Sequence, residues 1–156
     1  MKVFQLYCGF LGICLLAGCG PSVETPTWPD PVPVSGAVTY GDEPLANAQV
    51  IFVPEGETVG KGGSGRTDDS GKYTVKSQSA SGDLQDGLIP GKYKVVFSRM
   101  IKPDGSIWIP DPNNPVGPAT VAAREELPMN YSTAAETKSQ IEVTAANSSA
   151  DFKLEK

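Results

Sequence analysis

The amino-acid sequence predicts an all-β chain: a small antiparallel β-sandwich of about seven strands, preceded by a signal peptide and a proline-rich stalk. Three observations predict this fold class. The 156 residues include 17 Gly and 14 Pro, which indicates many turns and extended connections. Short segments rich in β-branched residues alternate apolar and polar side chains, a pattern typical of antiparallel strands with one solvated face. One sheet alone would leave its apolar face in water, so two packed sheets are expected.

Residues 1–18 have the three zones of a secretory signal. Lys2 supplies a positive charge, residues 3–17 are apolar apart from Gln5, and the small residues Ala17 and Gly18 follow. The apolar stretch is short for a transmembrane helix, which needs about 20 residues. We therefore expect a cleaved signal peptide over residues 1–18.

The sequence "LAGC" at residues 16–19 resembles the bacterial lipobox, the cleavage and lipidation site of lipoproteins. The resemblance implies cleavage between Gly18 and Cys19, acylation of Cys19 (palmitate among the chains), and a location in the bacterial cell envelope outside the cytoplasm. Two or three acyl chains would give stable membrane attachment, where one chain is marginal. Gly20 after the cysteine agrees with outer-membrane sorting under enterobacterial rules. The alternative is a short uncleaved anchor helix in which Cys19 is only a small apolar residue.

Residues 19–33 read as a lipidated N-terminus followed by a stalk. Five prolines lie between residues 20 and 33, and proline favours the extended polyproline II conformation. Trp28 within this stretch is interpreted as a loose docking contact rather than a ligand site. The three cysteines all precede residue 20, so no disulfide is expected in the folded part. We place the domain at residues 34–156.

Within the domain, alternation and β-branched residues predict strands at residues 34–40, 48–54, 72–75, 92–98, 139–145 and 150–156. The turn residues of "TDDSGKY" (67–73), with Gly71 suited to positive φ, predict a hairpin joining the two flanking strands. Pro90 and Gly91 in "IPGKY" predict a type II turn. The best helix candidate is residues 119–127, over one or two turns.

Three blocks, "VSGAVTYGDEPLANAQVIFVPEG", "GRTDDSGKYTV" and "DGLIPGKYKVVFS", resemble the carboxypeptidase regulatory-like family. The resemblance covers residues 34–100 and 127–156. It implies a transthyretin-like (prealbumin-like) β-sandwich, of the kind found as an appended or lipid-anchored module. It also implies no enzymatic activity, because the zinc chemistry of the exopeptidases that carry such a domain belongs to a separate domain.

The absence of histidine excludes several sites outright. Hydroxyisourate hydrolases and intradiol dioxygenases, two enzyme groups of related architecture, both need histidines, as do Ser-His-Asp triads and HExxH zinc sites. Residues 60–65, "GKGGSG", fit G-x-G-x-x-G formally but precede a predicted strand, so we interpret them as a flexible loop. With a formal net charge of −5 and no basic stripe, nucleic-acid binding is not expected. We predict no catalytic residues, no metal site and no cofactor; weak Ca²⁺ binding by Asp68 and Asp69 stays open, although turn capping explains both.

The long proline-rich connection at residues 101–128 is the least explained segment, since connections of this length are uncommon in compact domains. Its apolar trio Ile107, Trp108 and Ile109 is a candidate partner contact. The favoured alternative is that the segment folds back over a sheet edge. The expected function is a binding or adaptor module for an envelope protein or glycan, held at the membrane by the lipid on Cys19. The alternative is a structural surface lipoprotein without a specific ligand; the oligomeric state stays open.

Overall fold

A computed structural model describes residues 27–156, so the predicted signal peptide, the lipidation site at Cys19 and the first part of the stalk lie outside the described residues. The strands, in chain order, are β1 (Ser35–Tyr40), β2 (Glu43–Pro44), β3 (Gln49–Glu55), β4 (Gly63–Arg66), β5 (Lys72–Thr74), β6 (Lys76–Gln78), β7 (Leu84–Asp86), β8 (Gly91–Ser98), β9 (Met100–Ile101), β10 (Arg124–Glu125), β11 (Gln140–Val143) and β12 (Phe152–Leu154). A 3₁₀ helix spans Pro118–Val121 and the helix α1 spans Met129–Ser132. The count exceeds seven because several strands have only two to four residues.

The predicted all-β fold consists of two main sheets and a separate two-stranded sheet formed by β9 and β10. The larger has six strands in the order β11-β8-β3-β4-β6-β7, all paired antiparallel. The smaller has β1 at its centre, with β12 on one side and both β2 and β5 paired to it as well. The pairing of β1 with β12 is parallel, with Val38 opposite Phe152, and is the exception to the expected antiparallel pattern.

The core lies between the two sheets. Aromatic rings join them directly: the centroids of Phe52 and Tyr73 are 6.2 Å apart, and those of Phe97 and Phe152 are 5.2 Å apart. Each fully buried side chain of this size contributes about 1.5–3 kcal/mol through removal from water. Tyr73 on β5 and Tyr93, Val95 and Phe97 on β8 are buried, and on the C-terminal strands Ile141 and Phe152 are half-buried against the core. The buried core residues are Val34, Val38, Leu45, Ala48, Val50, Phe52, Tyr73, Val75, Leu88, Tyr93, Val95, Phe97, Leu127, Val143, Ala150 and Leu154.

The turn at residues 67–73 does not join a hairpin, which corrects the sequence prediction. The local turn is present: the Asp68 amide donates to the Lys72 carbonyl over 2.8 Å, and Gly71 has φ 76°. However, β4 before it pairs with β3 and β6, whereas β5 after it pairs with β1 in the other sheet. The turn therefore carries the chain from one sheet to the other, because turn chemistry sets the reversal and not the partners of the flanking strands.

The predicted type II turn at residues 89–93 is also wrong. Gly91 is the first residue of β8 with φ 158°, far from the value of about +80° that such a turn requires. The Lys92 amide, which would close the turn, donates instead to Thr58 Oγ1 over 2.8 Å. A Cβ at Gly91 would lie 2.4 Å from the Thr58 methyl group, so the close approach of Thr58 explains the glycine.

Residues 60–65, expected to be a flexible loop, contribute their second half to β4 inside the larger sheet. A Cβ at Gly63 would lie 2.6 Å from the Lys76 carbonyl oxygen, and one at Gly65 would lie 2.3 Å from the Thr74 carbonyl oxygen. Glycine therefore permits β4 to approach these backbones closely. A glycine-rich segment gives no hydrophobic alternation, which is why the sequence did not indicate a strand here.

The helix candidate at residues 119–127 is reduced to the 3₁₀ helix at Pro118–Val121. Ala122 adopts the left-handed conformation (φ 52°) and ends it, and β10 follows two residues later. Pairing of β10 with β9 draws these residues into extended structure, so tertiary contact overrides the weak local preference.

The chain joins the sandwich two residues before the predicted domain start. Val32 and Leu88 exchange backbone hydrogen bonds of 2.7 and 2.9 Å, so the end of the stalk is paired. Trp28 is half-buried, and a Cβ added at Gly60 would lie 3.9 Å from its ring, so the ring lies against the loop before β4. Within residues 27–156 no helix is long and apolar enough to cross a bilayer.

Candidate binding surface on the 101–128 loop

The 101–128 loop is organised by backbone pairing of its own. The strands β9 and β10 pair antiparallel, with Ile101 opposite Arg124. Ile107 bridges to Ile101, and the Trp108 amide donates to the Met100 carbonyl over 2.7 Å. The segment thus folds back onto β9, so that β10, Ile107 and Trp108 contact the same short strand.

The base of the loop is held by two adjacent carboxylates. Glu125 Oε1 accepts from the Arg99 amide at 2.9 Å and from the Leu127 amide at 3.0 Å, while Oε2 accepts from Ser98 Oγ at 2.6 Å. The Arg99 guanidinium pairs with Glu126 through two donors, Nε to Oε2 and Nη2 to Oε1. Charge-assisted, bidentate contacts of this kind are among the stronger hydrogen bonds in proteins. They tie the end of β8 to the point where the loop returns to the domain.

Trp108 lines a groove formed by the loop itself. The groove has a volume of about 390 Å³, and its walls are mainly apolar: Trp108, Pro110, Pro112, Pro115 and Val116. The three predicted contact residues differ in exposure: Ile107 and Trp108 are half-buried, and Ile109 is 50% exposed. All three lie outside the buried core. The backbone of the segment folds back onto β9, which with β10 forms a two-stranded sheet apart from the two larger ones, and Trp108 lines an open groove. A partner contact at the three residues stays a prediction.

The chemistry of this groove suits binding. Proline and tryptophan side chains lose little conformational freedom when a ligand covers them, and an indole ring can stack on a sugar ring or pack on an extended peptide. Asp111 supplies a polar group at the groove, and its Oδ1 already accepts from the Asn113 amide at 2.8 Å. The groove therefore provides mainly apolar contact area for a ligand.

Asp68 serves its own turn, as the capping interpretation expects. Its Oδ1 accepts from the Ser70 amide (2.8 Å), the Ser70 hydroxyl (2.7 Å) and the Lys72 amide (2.9 Å). The hydrogen bond from the Ser70 side chain is the main cause that lowers the pKa of Asp68, followed by that from the Lys72 amide. Asp69 accepts a longer bond, 3.4 Å, from Asn47 Nδ2. In the part of the chain that the structure describes, no group of three or more acidic, Cys or His side chains could hold a metal ion.

Sequence reasoning missed the residues that hold the loop. Arg99 and the pair Glu125–Glu126 lie at opposite ends of the 101–128 segment, and their opposite charges were the available signal. The prolines that share the groove with Trp108 were counted as loop residues. A bridge between Asp111 and Asn114 brings this segment back on itself, and the sequence does not predict it.

Comparison with known proteins adds little. No protein-family model matches the sequence, and no curated protein matches it. Among solved structures, the chain is similar to a 9R-lipoxygenase from Cyanothece PCC8801, with 13% sequence identity and a TM-score of 0.34. That match covers 87% of this chain, which spans 18% of the length of the lipoxygenase chain. A likeness of this size carries no argument about fold or activity.

Proposed function

We propose that this chain is a non-enzymatic, lipid-anchored protein of the bacterial cell envelope that holds an envelope protein or glycan near the membrane. In this proposal Cys19 carries the lipid, the proline-rich stalk separates the domain from the bilayer, and the 101–128 loop makes the partner contact. The lipobox-like sequence at residues 16–19 and the resemblance to the carboxypeptidase regulatory-like family support the first two parts.

The observation that carries the proposal is the groove beside Trp108. Tryptophan is among the residues that most often anchor protein interfaces, and Trp108 lies half-buried in the wall of an apolar groove. Here the groove sits on a loop whose two ends are fixed by Glu125 and by the Arg99–Glu126 pair. A loop that is already fixed loses less conformational entropy when it binds a partner, which favours affinity.

The test uses intact cells that produce the full chain with a tag after Lys156. After cross-linking, the envelope is solubilised, the tagged protein is purified, and the masses of the protein and of its companions are measured. We expect a mature protein that begins at Cys19 with acyl chains, and one recurrent partner. A Cys19→Ala variant should lose the acyl chains and the membrane-proximal partner together.

Two variants connect the partner to the groove. Trp108→Ala removes the aromatic wall and should abolish capture of the recurrent partner. Leu84→Ala removes an apolar side chain on β7 that is 69% exposed and should leave capture intact. Lipidated protein without a partner above background would favour the structural surface lipoprotein, and an unmodified mass that retains residues 1–18 would refute the lipid anchor.

A further inference from the structure

A second groove lies outside the 101–128 loop, where β1, β4 and β5 meet the segment before β12. Its volume is about 690 Å³. Its polar and aromatic lining comes from positions far apart in the chain, among them Ser35, Arg66, Lys72, Tyr73, Thr74 and Asp151. In contrast to the groove at Trp108, this one presents charged side chains of both signs.

Arg66 is the unusual member of this lining. Its Nη1 donates to the Asn47 carbonyl over 2.8 Å, and it forms no salt bridge with any described residue. Arg99 is half-buried as well, but it forms a salt bridge with Glu126. Burial lowers the pKa of Arg66, so its charge is partly removed from water, and no carboxylate among the described residues lies within salt-bridge distance of it.

The remaining donors of Arg66 are accessible from the groove. A guanidinium has five N–H donors, and only one of its nitrogens is engaged by the protein. No buried side-chain nitrogen or oxygen among residues 27–156 lacks a hydrogen-bond partner, so the free donors of Arg66 reach solvent. The planar fork of a guanidinium matches two oxygens of one carboxylate.

The opposite charges in the groove restrict the ligand. Arg66 and Lys72 are balanced by Asp68 and Asp151, so the lining has no excess positive charge for a phosphate dianion. Asp68 Oδ1 is filled by three donors of its own turn, whereas Asp151 Oδ1 accepts only the Ala37 amide, at 2.8 Å. Asp151 thus keeps acceptor capacity for hydroxyl groups of a ligand.

We propose that this groove binds an acidic sugar, with the sugar carboxylate on Arg66 and the sugar hydroxyls donating to Asp151. Lys72 adds a second positive charge near the carboxylate, and the exposed hydroxyls of Ser35 and Thr74 complete the polar wall. A single negative charge and several hydroxyls are the two features that this lining can satisfy together. The inference goes beyond the proposed function, because none of these residues belongs to the 101–128 loop.

The experiment is a titration of the full chain in detergent micelles, followed by the backbone amide resonances in NMR spectra. Methyl glucuronide and methyl glucoside form a matched pair that differs in the carboxylate. N-acetyl-Ala-Ala offers the same carboxylate on a peptide, without sugar hydroxyls. We expect saturable shifts at Lys72 and Thr74 with methyl glucuronide, and binding of the glucoside and of the peptide that is at least about tenfold weaker.

Substitutions assign the contacts. Arg66→Gln should weaken methyl glucuronide binding about tenfold or more, and Arg124→Gln, which removes the same charge from an exposed site elsewhere, should leave it unchanged. Asp151→Asn retains an oxygen for the Ala37 amide and should weaken the glucuronide several-fold. Lys72→Gln, at an exposed position, should also weaken binding and provides the test if Arg66→Gln fails to fold.

Trp108→Ala separates this inference from the proposed function, because it should abolish capture of the envelope partner and leave glucuronide binding intact. Equal affinity for the glucuronide and the glucoside would overturn the assignment. So would equal affinity of wild type, Arg66→Gln and Lys72→Gln. Tighter binding of the peptide than of the glucuronide would show that the ligand is not a sugar.

Discussion

The guanidinium of Arg99 and the carboxylate of Glu126 join the two ends of the long loop that carries Trp108, with Nη2 and Oε1 2.9 Å apart. The two side chains are only 16% and 33% exposed, so water screens the pair less than it screens a surface salt bridge. The position of the Trp108 groove relative to β8 therefore depends on a contact between residues that lie 27 positions apart.

Removal of this contact should destabilise the domain. Glu126→Gln leaves the Arg99 charge half-buried without its partner, and we expect the free energy of unfolding to fall by about 1–3 kcal/mol. Urea unfolding at neutral pH measures it. The matched control is Asp42→Asn, which removes the exposed pair with Lys153 (3.3 Å, side chains 96% and 70% exposed) and should change stability by less than about 1 kcal/mol. Equal losses in both variants would contradict a special role for Glu126.

Gly65 should not tolerate a side chain. Because a Cβ there would lie 2.3 Å from the Thr74 carbonyl oxygen, Gly65→Ala must displace a strand backbone, and we expect a loss of about 1–3 kcal/mol. Gly117→Ala is the control, since its φ of −68° suits any residue and no atom lies within 4 Å of the added Cβ. Thermal unfolding of the two variants should differ clearly. A Gly65→Ala protein as stable as the control would mean that β4 is not packed as described.

Two buried tyrosines should make the domain sensitive to alkaline pH. Burial raises the pKa of Tyr93 to about 12 and, with a contribution from Asp151, raises the pKa of Tyr73 further. In the unfolded chain both deprotonate near pH 10, so the unfolded state binds fewer protons than the folded state above that pH. Stability is therefore fully present below about pH 10 and falls as the pH rises toward the folded-state values, by up to about 1.4 kcal/mol per pH unit for each tyrosine.

Urea unfolding between pH 8 and pH 11 measures this slope. Tyr93→Phe removes one titrating group and should flatten the loss above pH 10, although the variant forfeits the hydrogen bond from Tyr93 Oη to the Ile89 carbonyl (2.6 Å) at every pH. Tyr73→Phe should do the same and forfeit its bond to the Ala150 carbonyl (2.6 Å). An unchanged slope in both variants would show that other groups cause the alkaline transition.

The turn at Asp68 should stabilise the domain at neutral pH and lose this effect in acid. Its pKa is lowered in the folded state, first by the Ser70 hydroxyl, so the contribution is present above the unfolded pKa of about 3.9 and is lost as the pH falls through the folded value. We expect Asp68→Asn to lower the melting temperature at pH 7 and to differ less from wild type at pH 2. Asp30→Asn, at an exposed carboxylate before β1, is the control for the loss of one surface charge. A difference that persists at pH 2 would assign the effect of Asp68→Asn to shape rather than charge.

The sequence by itself determined where the main strands lie. Content of β-branched residues located β1 and β3, and period-two alternation located β5, β8, β11 and β12, all within a few residues, because a strand with one buried face has an apolar residue at every second position. The Asp68–Gly71 turn was equally local, since an Asx-type cap needs only residues within four positions of each other.

Only the tertiary structure decided which strands pair and which distant side chains lie together. The glycines of β4 give no alternation and reveal a strand only once the carbonyls of Lys76 and Thr74 are close by. The parallel pairing of β1 with β12 joins the two ends of the domain. In the same way Arg66 and Asp151 line one groove although 85 residues separate them (151 − 66). Such contacts depend on how two sheets pack, and packing energy is shared by residues from the whole chain rather than encoded in any short segment of it.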